Sequence, residues 1–430
     1  MTCPPLSILA WLMTEEGADL LAAASRLPAD PLTRLTHLRR RATPERAAAA
    51  VELLELRHRA RNRFPQADSL FFTAEGLEQA TAAPIAHYRA ARFAEGVPVL
   101  DACCGIGGDA GALAYRAPVV AVDRSPAAAL CARANAPLFG GSSPVHALCA
   151  DITTLDLGRL AAGGIGAALF DPSRRADRAD GSRRRVRDAS DYAPPLEFLT
   201  TLQAHFPALC VKVSPGLDDD TLQRFDTRVE FLSDRGECKE AALWFGPLTE
   251  GLPAASRPTG FSAGDHNYVA TVLRPQAPPS TLAPFACDIP LLSAPRAWLL
   301  ESDPAVIRAH LVPQVAALTN AAQITPGIAY LTADAPAPTP FATAYRILDW
   351  LPYQEKAVRA RLRQIGRRIE VVKKRDVPLE PEQVRKALLD KDRAIPPCIL
   401  VLTRHHDKII AVLCDFPESA GQESALPSPN

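Results

Sequence analysis

Asp101, Asp123, Asp151 and Asp171 each close or follow a short apolar run, and Lys212 lies inside a further one. The first run, Val97, Val99 and Leu100, reaches Asp101 and then a turn holding Gly105, Gly107 and Gly108, after which the small residues 110–114 read as a helix start. The local pattern is strand, tight turn, helix. Glycine tolerates positive φ and lets the backbone approach a ligand, while a helix N-terminus supplies free N–H groups and a partial positive charge. A nucleotide-like ligand is expected there.

Gly105-x-Gly107-x-x-Ala110 also satisfies the loose dinucleotide fingerprint, in which a pyrophosphate lies against the turn. Asp101 and Asp109 would repel that pyrophosphate, whereas acids flanking the turn suit the ammonium and sulfonium of S-adenosylmethionine. The charge pattern favours the methyl donor over a nicotinamide cofactor. Residues 119–122 form a β-branched run ending at Asp123, where an acid can hold ribose hydroxyls. Residues 145–148 end near Asp151, residues 167–170 deliver Asp171-Pro172-Ser173, and residues 209–213 carry Lys212 and break at Ser214-Pro215-Gly216. Acids at successive strand ends fall along one carboxyl edge of a parallel sheet, the edge at which doubly wound α/β folds bind ligands. One cleft is expected to contain them all.

DACCGIGGD (101–109), AVDRS (121–125), CADI (149–152) and FDPSRR (170–175) resemble the class I S-adenosylmethionine-dependent methyltransferases. The likeness is to the bacterial branch with a C-terminal THUMP-like domain, related to trimethylguanosine synthases. LFFTAEGLEQAT (70–81) and ESDPAVIR (301–308) resemble the same branch, so the resemblance spans residues 64–415. It implies a doubly wound Rossmann-like sheet with S-adenosylmethionine as cofactor. Asp101, Gly105 and Gly107 would line its methionine part, Asp123 its ribose and Asp151 its adenine, with Cys103, Ile152 and Asp171 completing the set. Cys103 and Cys104 also read as small buried side chains filling a crowded turn.

Methyl transfer is an in-line displacement that needs an aligned nucleophile and the handling of one proton. Asp171, Pro172 and Lys212 are the candidate catalytic residues. An exocyclic purine amine would be held by Asp171 and the Pro172 carbonyl. A ribose hydroxyl would need activation, and Asp171, Lys212 and Glu240 resemble the Asp, Lys and Glu of ribose 2′-O-methyltransferases, whose additional N-terminal lysine has no obvious counterpart here. Synthases that methylate guanine amino groups typically show Asp-Pro-Pro-Trp, and here Ser173-Arg174 stand in place of Pro-Trp, so both acceptors stay open. Carbon methylation is disfavoured, because neither DPSRR nor KVSPG supplies a cysteine.

The elements that must position these residues follow from length and pattern. A chain of 430 residues should hold two or three domains. We expect a helical N-terminal region over 1–92, the methyltransferase domain over 93–275, a proline-flanked linking subdomain over 276–340, a small α/β THUMP-like domain over 341–415 and a disordered tail over 416–430. In the THUMP-like part, the order β-α-β-α-β-β is read from apolar periodicity. Lys+Arg and Asp+Glu both number 48, so any basic surface must be local. Residues 356–375 carry basic side chains against the single acid Glu370, and an arginine-rich stretch spans 174–187. Each reads as a solvated face or as a grip on RNA phosphates. RNA is the expected partner. The rivals are a small-molecule or protein substrate, and a non-catalytic RNA-binding protein on the same scaffold. The ten cysteines show neither a C-x-x-C pair nor zinc spacing, so no disulfide framework and no metal are expected, and the cytoplasm is the expected compartment. No run reaches transmembrane length, and residues 6–13 lack a basic leader, so no membrane contact is expected.

Overall fold

The computed structural model describes residues 4–174, 191–252, 268–390 and 392–417. Contacts divide the chain into two units, one comprising Met1–Asp234, Lys239–Leu252 and Pro275–Pro279, the other Arg235–Cys238, Pro253–Arg274 and Ser280–Asn430. In the first unit, helices α1 (Leu6–Leu12), α2 (Glu15–Ser25), α3 (Pro31–Leu38) and α4 (Pro44–Ala60) come first. Thr14, Asp30 and Thr43 start the last three by accepting hydrogen bonds from the N–H groups of Gly17, Thr33 and Arg46. Proline in the first turn of α3 and α4 suits a position whose N–H has no helical partner. The apolar faces of these helices bury Leu9, Leu12, Leu53 and Leu56 in one core with Ile106 and Phe139. The N-terminal region is thereby packed on the glycine turn.

Next come α5 (Ala74–Gln79), α6 (Ala83–Ala90), β1 (Val99–Ala102), α7 (Gly108–Leu113), β2 (Val119–Asp123), α8 (Pro126–Asn135), β3 (Val145–Cys149), α9 (Leu157–Ala162) and β4 (Ala167–Phe170). They are followed by β5 (Ser173–Arg174), β6 (Tyr192–Ala193), α10 (Phe198–His205), β7 (Ala208–Val213), α11 (Asp219–Gln223), β8 (Arg228–Asp234) and β9 (Glu237–Trp244). Seven of these strands lie in the order β8-β9-β7-β4-β1-β2-β3. β1 runs parallel to β2 and β4, β2 to β3, and β4 to β7, while β9 is antiparallel to β7. Every residue of β1 and β4 is buried, as expected of central strands covered on both faces. This is the doubly wound α/β sheet anticipated from the sequence. Its order reverses between β1 and β4, so the carboxyl ends that carry Asp101 and Asp171 flank the switch point where such sheets bind ligands.

The second unit contains β10 (Tyr268–Leu273), antiparallel to β11 (Ser280–Leu282). It continues with β12 (Trp298–Ser302), α12 (Pro304–Arg308), α13 (Val312–Thr319), β13 (Ala322–Gln323), β14 (Tyr330–Ala333), β15 (Ala342–Pro352), α14 (Glu355–Ile365), β16 (Arg368–Lys374), α15 (Pro381–Ala387), β17 (Pro397–His405) and β18 (Lys408–Cys414). From β15 onward this is the expected β-α-β-α-β-β order. A seven-stranded sheet runs β13-β14-β12-β15-β18-β17-β16. The segment before residue 341 therefore adds strands to this sheet, β12 pairing with β15 from Trp298↔Arg346 to Ser302↔Ala342. Its sequence pattern shows only the helical centre. Among the described residues, no helix is long and apolar enough to cross a membrane. The expected basic stretch after Arg174 and the tail after Pro417 lie outside the described residues.

Candidate active site

Cys103, Gly105 and Gly107 take φ of 68°, 54° and 85°, turning the chain sharply from β1 into α7. Asp123 clamps this turn to the end of β2. Its Oδ2 accepts the Gly105 N–H at 2.9 Å and its Oδ1 the Ser125 N–H at 2.8 Å. At Gly107 an added Cβ would stand 3.0 Å from Ala132 Cα, so both the dihedral and the space require glycine. Asn135, fully buried, fastens the turn from the other side. It donates to the carbonyls of Phe71 at 2.9 Å and Ile106 at 3.0 Å and accepts from the Phe71 N–H at 2.7 Å. The stretch 70–81 is thus laid against the turn.

Asp101 ends up buried, and among the described residues neither of its carboxylate oxygens has a hydrogen-bond partner. Burial first, then the charges of Asp109 and Asp171, push its pKa well above the usual carboxylate range. A polar chain joins its neighbours. Lys212 donates to Asp171 Oδ2 at 2.6 Å and to Thr81 Oγ1 at 2.9 Å, and Thr81 donates to Asp109 Oδ2 at 2.8 Å. Arg89 donates through Nη2 to Asp109 Oδ1 at 2.5 Å and to Thr81 at 3.2 Å, and through Nη1 to Glu240 Oε1 at 2.5 Å. Burial would lower the pKa of Lys212, yet Asp171, Glu240 and Asp109 together raise it, so the ammonium is retained. Burial likewise opposes ionisation of Asp109, but Arg89 and Lys212 win and hold its carboxyl low. For Asp171 and Glu240 burial prevails, and both are raised despite their cations.

Four carboxyl groups (Asp101, Asp109, Asp171, Glu240) therefore meet two cations (Arg89, Lys212) in one cluster that is buried except where Lys212 and Asp171 reach its open side. Unpaired buried charge is costly, so a ligand that brings positive charge is favoured and a pyrophosphate is not. The ammonium and sulfonium of S-adenosylmethionine fit a cluster with more carboxyl groups than cations, and the Asp101 carboxyl is the one there without a hydrogen-bond partner among the described residues.

The remaining expected residues divide. Asp151 is exposed, and its Oδ1 accepts from the Thr153 N–H and hydroxyl at 2.9 and 2.7 Å, which lowers its pKa and caps the turn that buries Ile152. Pro172 is buried beside Asp171. Burial above all raises the thiols of Cys103, Cys104 and Cys210, which disfavours the thiolate form that a cysteine nucleophile needs. Four side chains carry no local signal in the sequence: Arg89, Thr81, Asn135 and Tyr192. Tyr192 accepts the Ser214 N–H at 2.8 Å and ties β6, the partner of β5, to the end of β7. Thr81 lies in the quoted 70–81 motif, but nothing local assigns it a partner. In place of an N-terminal lysine, a cation from the N-terminal side does enter the cluster, Arg89.

In the second unit, the basic excess over 356–375 is largely matched by acids. Arg359 meets Glu355, Arg361 Asp349, Arg367 Asp415, Arg368 Glu370, Lys373 Glu301 and Lys374 Glu380. Among the described residues, Lys356 and Arg363 are exposed on α14 and make no ion pair.

A family model described as THUMP domain-like matches residues 342–415, and one described as a domain of unknown function matches residues 6–60. The crystal structure of a candidate methyltransferase from Porphyromonas gingivalis W83 superposes with a TM-score of 0.70 at 21% identity, covering 93% of this chain and 99% of that one. That likeness bears on the fold alone. An uncharacterized S-adenosylmethionine-dependent methyltransferase of Mycobacterium tuberculosis (strain CDC 1551 / Oshkosh) is 30% identical over 374 residues, which is 84% of this chain and 93% of the relative. Its counterpart in strain H37Rv gives the same figures. A buried cluster short of positive charge at a doubly wound switch point, and relatives matched over nearly their whole length, lead to one conclusion: the chain belongs to the S-adenosylmethionine-dependent methyltransferases, with S-adenosylmethionine as its cofactor.

Proposed function

We propose that the chain methylates RNA at an exocyclic amine of a purine. The observation that carries the choice of acceptor is the state of Lys212. Its ammonium is held between Asp171 and Thr81 with its pKa raised, so it is a poor base for a hydroxyl proton. Asp171 uses Oδ2 on Lys212 and, at 26% exposure, keeps Oδ1 for an acceptor N–H, with the Pro172 carbonyl as the second holder. S-adenosylmethionine, when bound, supplies an electrophilic methyl group. The amine nitrogen bonds to the methyl carbon as the carbon–sulfur bond breaks, and the surplus N–H proton passes to Asp171 Oδ1 and then to solvent. Most of the gain comes from alignment, for which about 7–11 kcal/mol is available.

In this reading Asp101, Cys103, Gly105 and Gly107 line the methionine part, Asp123 takes the ribose, and Asp151 with Ile152 the adenine. The Asp101 carboxylate and the glycine turn clamped by Asp123 support these assignments. RNA is favoured by the THUMP domain-like match over 342–415 and by the unpaired cations Lys356 and Arg363. We retain the division into regions 1–92, 93–275, 276–340 and 341–415, and a cytoplasmic location, for which the free thiols of Cys103, Cys210 and Cys414 speak.

The test is transfer of labelled methyl to total cellular RNA, beside protein and small-metabolite fractions, followed by nucleoside analysis. Label should enter purine bases of RNA, and Asp171→Ala should lower transfer by about 10²–10⁴-fold. Label on ribose would refute the amine, and label in protein or metabolites would refute RNA.

A further inference from the structure

We propose that Arg89 is a positioning residue, which keeps the Lys212 ammonium on Asp171 by occupying Asp109 and Glu240 at the same time. The charged groups acting on Lys212 are Asp171 at the end of β4, Glu240 on β9, Asp109 on α7 and Arg89 on α6. Three carboxylates compete for one ammonium. Arg89, with its side chain 1% exposed, removes two of them from the competition, one through each terminal nitrogen. It does so although its Nε is buried without a partner. The Thr81 hydroxyl stands between Lys212 and Asp109, accepting from the first and donating to the second, so the ammonium meets Asp109 only through it.

The planar fork is essential to this role. An arginine presents two donor edges to two carboxylates, whereas a lysine ammonium is a point charge on a flexible stem. Arg89→Lys conserves the charge and loses the bridge. One of Asp109 and Glu240 is then left without its cation, Lys212 is drawn toward it, and Asp171 loses its partner. The inference rests on the reading that Asp171 faces the acceptor. Its test uses no acceptor, so failure of either idea is distinguishable from failure of the other.

The test is a carboxyl NMR titration of the full-length protein labelled with ¹³C-aspartate, with the Asp171 signal assigned through Asp171→Asn. The other charges acting on Asp171 are Asp109, Arg89 and Asp101. In Arg89→Lys the Asp171 pKa should rise by about 1–3 pH units. Adding Glu240→Gln should return it to the parental value, because a single lysine can serve the one remaining carboxylate. Thr81→Val, which alters no charge, should raise the Asp171 pKa in the same direction. If Arg89→Lys alone does not fold, Arg89→Lys in an Asp109→Asn, Glu240→Gln background decides the matter: with both competitors neutral it should leave the Asp171 pKa of that background unchanged, and a shift there would overturn the proposal. A folded Arg89→Lys variant with Asp171 titrating as in the parent would overturn the proposal. So would a double variant that fails to restore it.

Discussion

Asp101→Asn should stabilise the ligand-free protein and weaken its hold on S-adenosylmethionine, two effects that a structural role alone would not separate. Asp101 is fully buried with both oxygens unpartnered, and its pKa lies well above the ordinary 3.8. The sign follows from linkage. A carboxyl raised on folding contributes stability that is present below its unfolded pKa and is lost as pH rises through the folded value. Each pH unit between the two values removes about 1.4 kcal/mol. Asparagine keeps the shape without the charge, so the variant should exceed the parent at pH 7 and lose that advantage near pH 4. A gain of even about 1 kcal/mol raises the melting midpoint of a unit this size by roughly 2–4 °C. On the cofactor side, a charge-assisted hydrogen bond is worth about 1.5–3 kcal/mol, so Kd should rise roughly 10- to 150-fold. In the parent the ligand must displace a proton from Asp101, so affinity should fall as pH drops through the raised pKa, and calorimetry in two buffers should detect the released proton. Equal affinity in the variant, with no gain in midpoint at pH 7, would refute the role assigned to Asp101.

Gly107→Ala and Gly105→Ala should part company. Both need positive φ, at about 1–2 kcal/mol for a side chain, but only at Gly107 does the new Cβ crowd backbone, 3.0 Å from Ala132 Cα, so its midpoint should fall further. Asn135→Ala strands the Phe71 N–H and the Phe71 and Ile106 carbonyls, at about 1–3 kcal/mol for each buried group left bare, and amide exchange over 70–81 should accelerate while exchange in β18 does not change. If α14 grips RNA, Lys356→Glu and Arg363→Glu should each lower the slope of log affinity against log salt by about 0.7, and an unchanged slope would remove that face from the RNA reading.

The acids at the sheet edge were legible because each follows an apolar run and stands where a parallel strand must end. The pattern is local, so Asp101, Asp123 and Asp171 could be placed on one edge from neighbours alone. Lys212 and Glu240 were legible beside them, but Arg89, Thr81 and Asn135, and who pairs with whom, were not. Arg89 meets Glu240 across 151 positions, Lys212 meets Thr81 across 131, and Asn135 meets Phe71 across 64. No periodicity encodes a partner that distant. Arg89 stands on a short alanine-containing helix and reads like the arginines around it, and only its burial at 1% sets it apart. The basic run over 356–375 was legible as charge but not as paired charge. Charge counted along the chain ignores acids such as Asp349, Glu301 and Asp415, which folding brings to it. Strand β12 was hidden for a third reason: in Trp298–Ser302 only Leu299, Leu300 and Ser302 are buried, without alternation, and prolines flank the run, so neither period marks it.

The polar cluster divides its labour by who supplies the counter-charge. Asp109 and Glu240 receive theirs permanently from Arg89, and Asp171 receives its own from Lys212, so those contacts are complete in the ligand-free fold. Asp101 alone has no hydrogen-bonded cation among the described residues: Arg89 acts on it only at a distance, and burial with the charges of Asp109 and Asp171 holds its pKa up. A fold that carried two orphaned acids would lose more stability than binding one molecule could return, since each unpaired buried charge weighs several kcal/mol. A fold that carried none would offer a cationic ligand no preference over a neutral one. With its one unpartnered carboxyl at the switch point and next to the glycine turn, the cluster leaves to a cationic ligand the partner that Asp101 lacks, while Arg89 and Lys212 hold Asp109, Glu240 and Asp171 in the ligand-free fold.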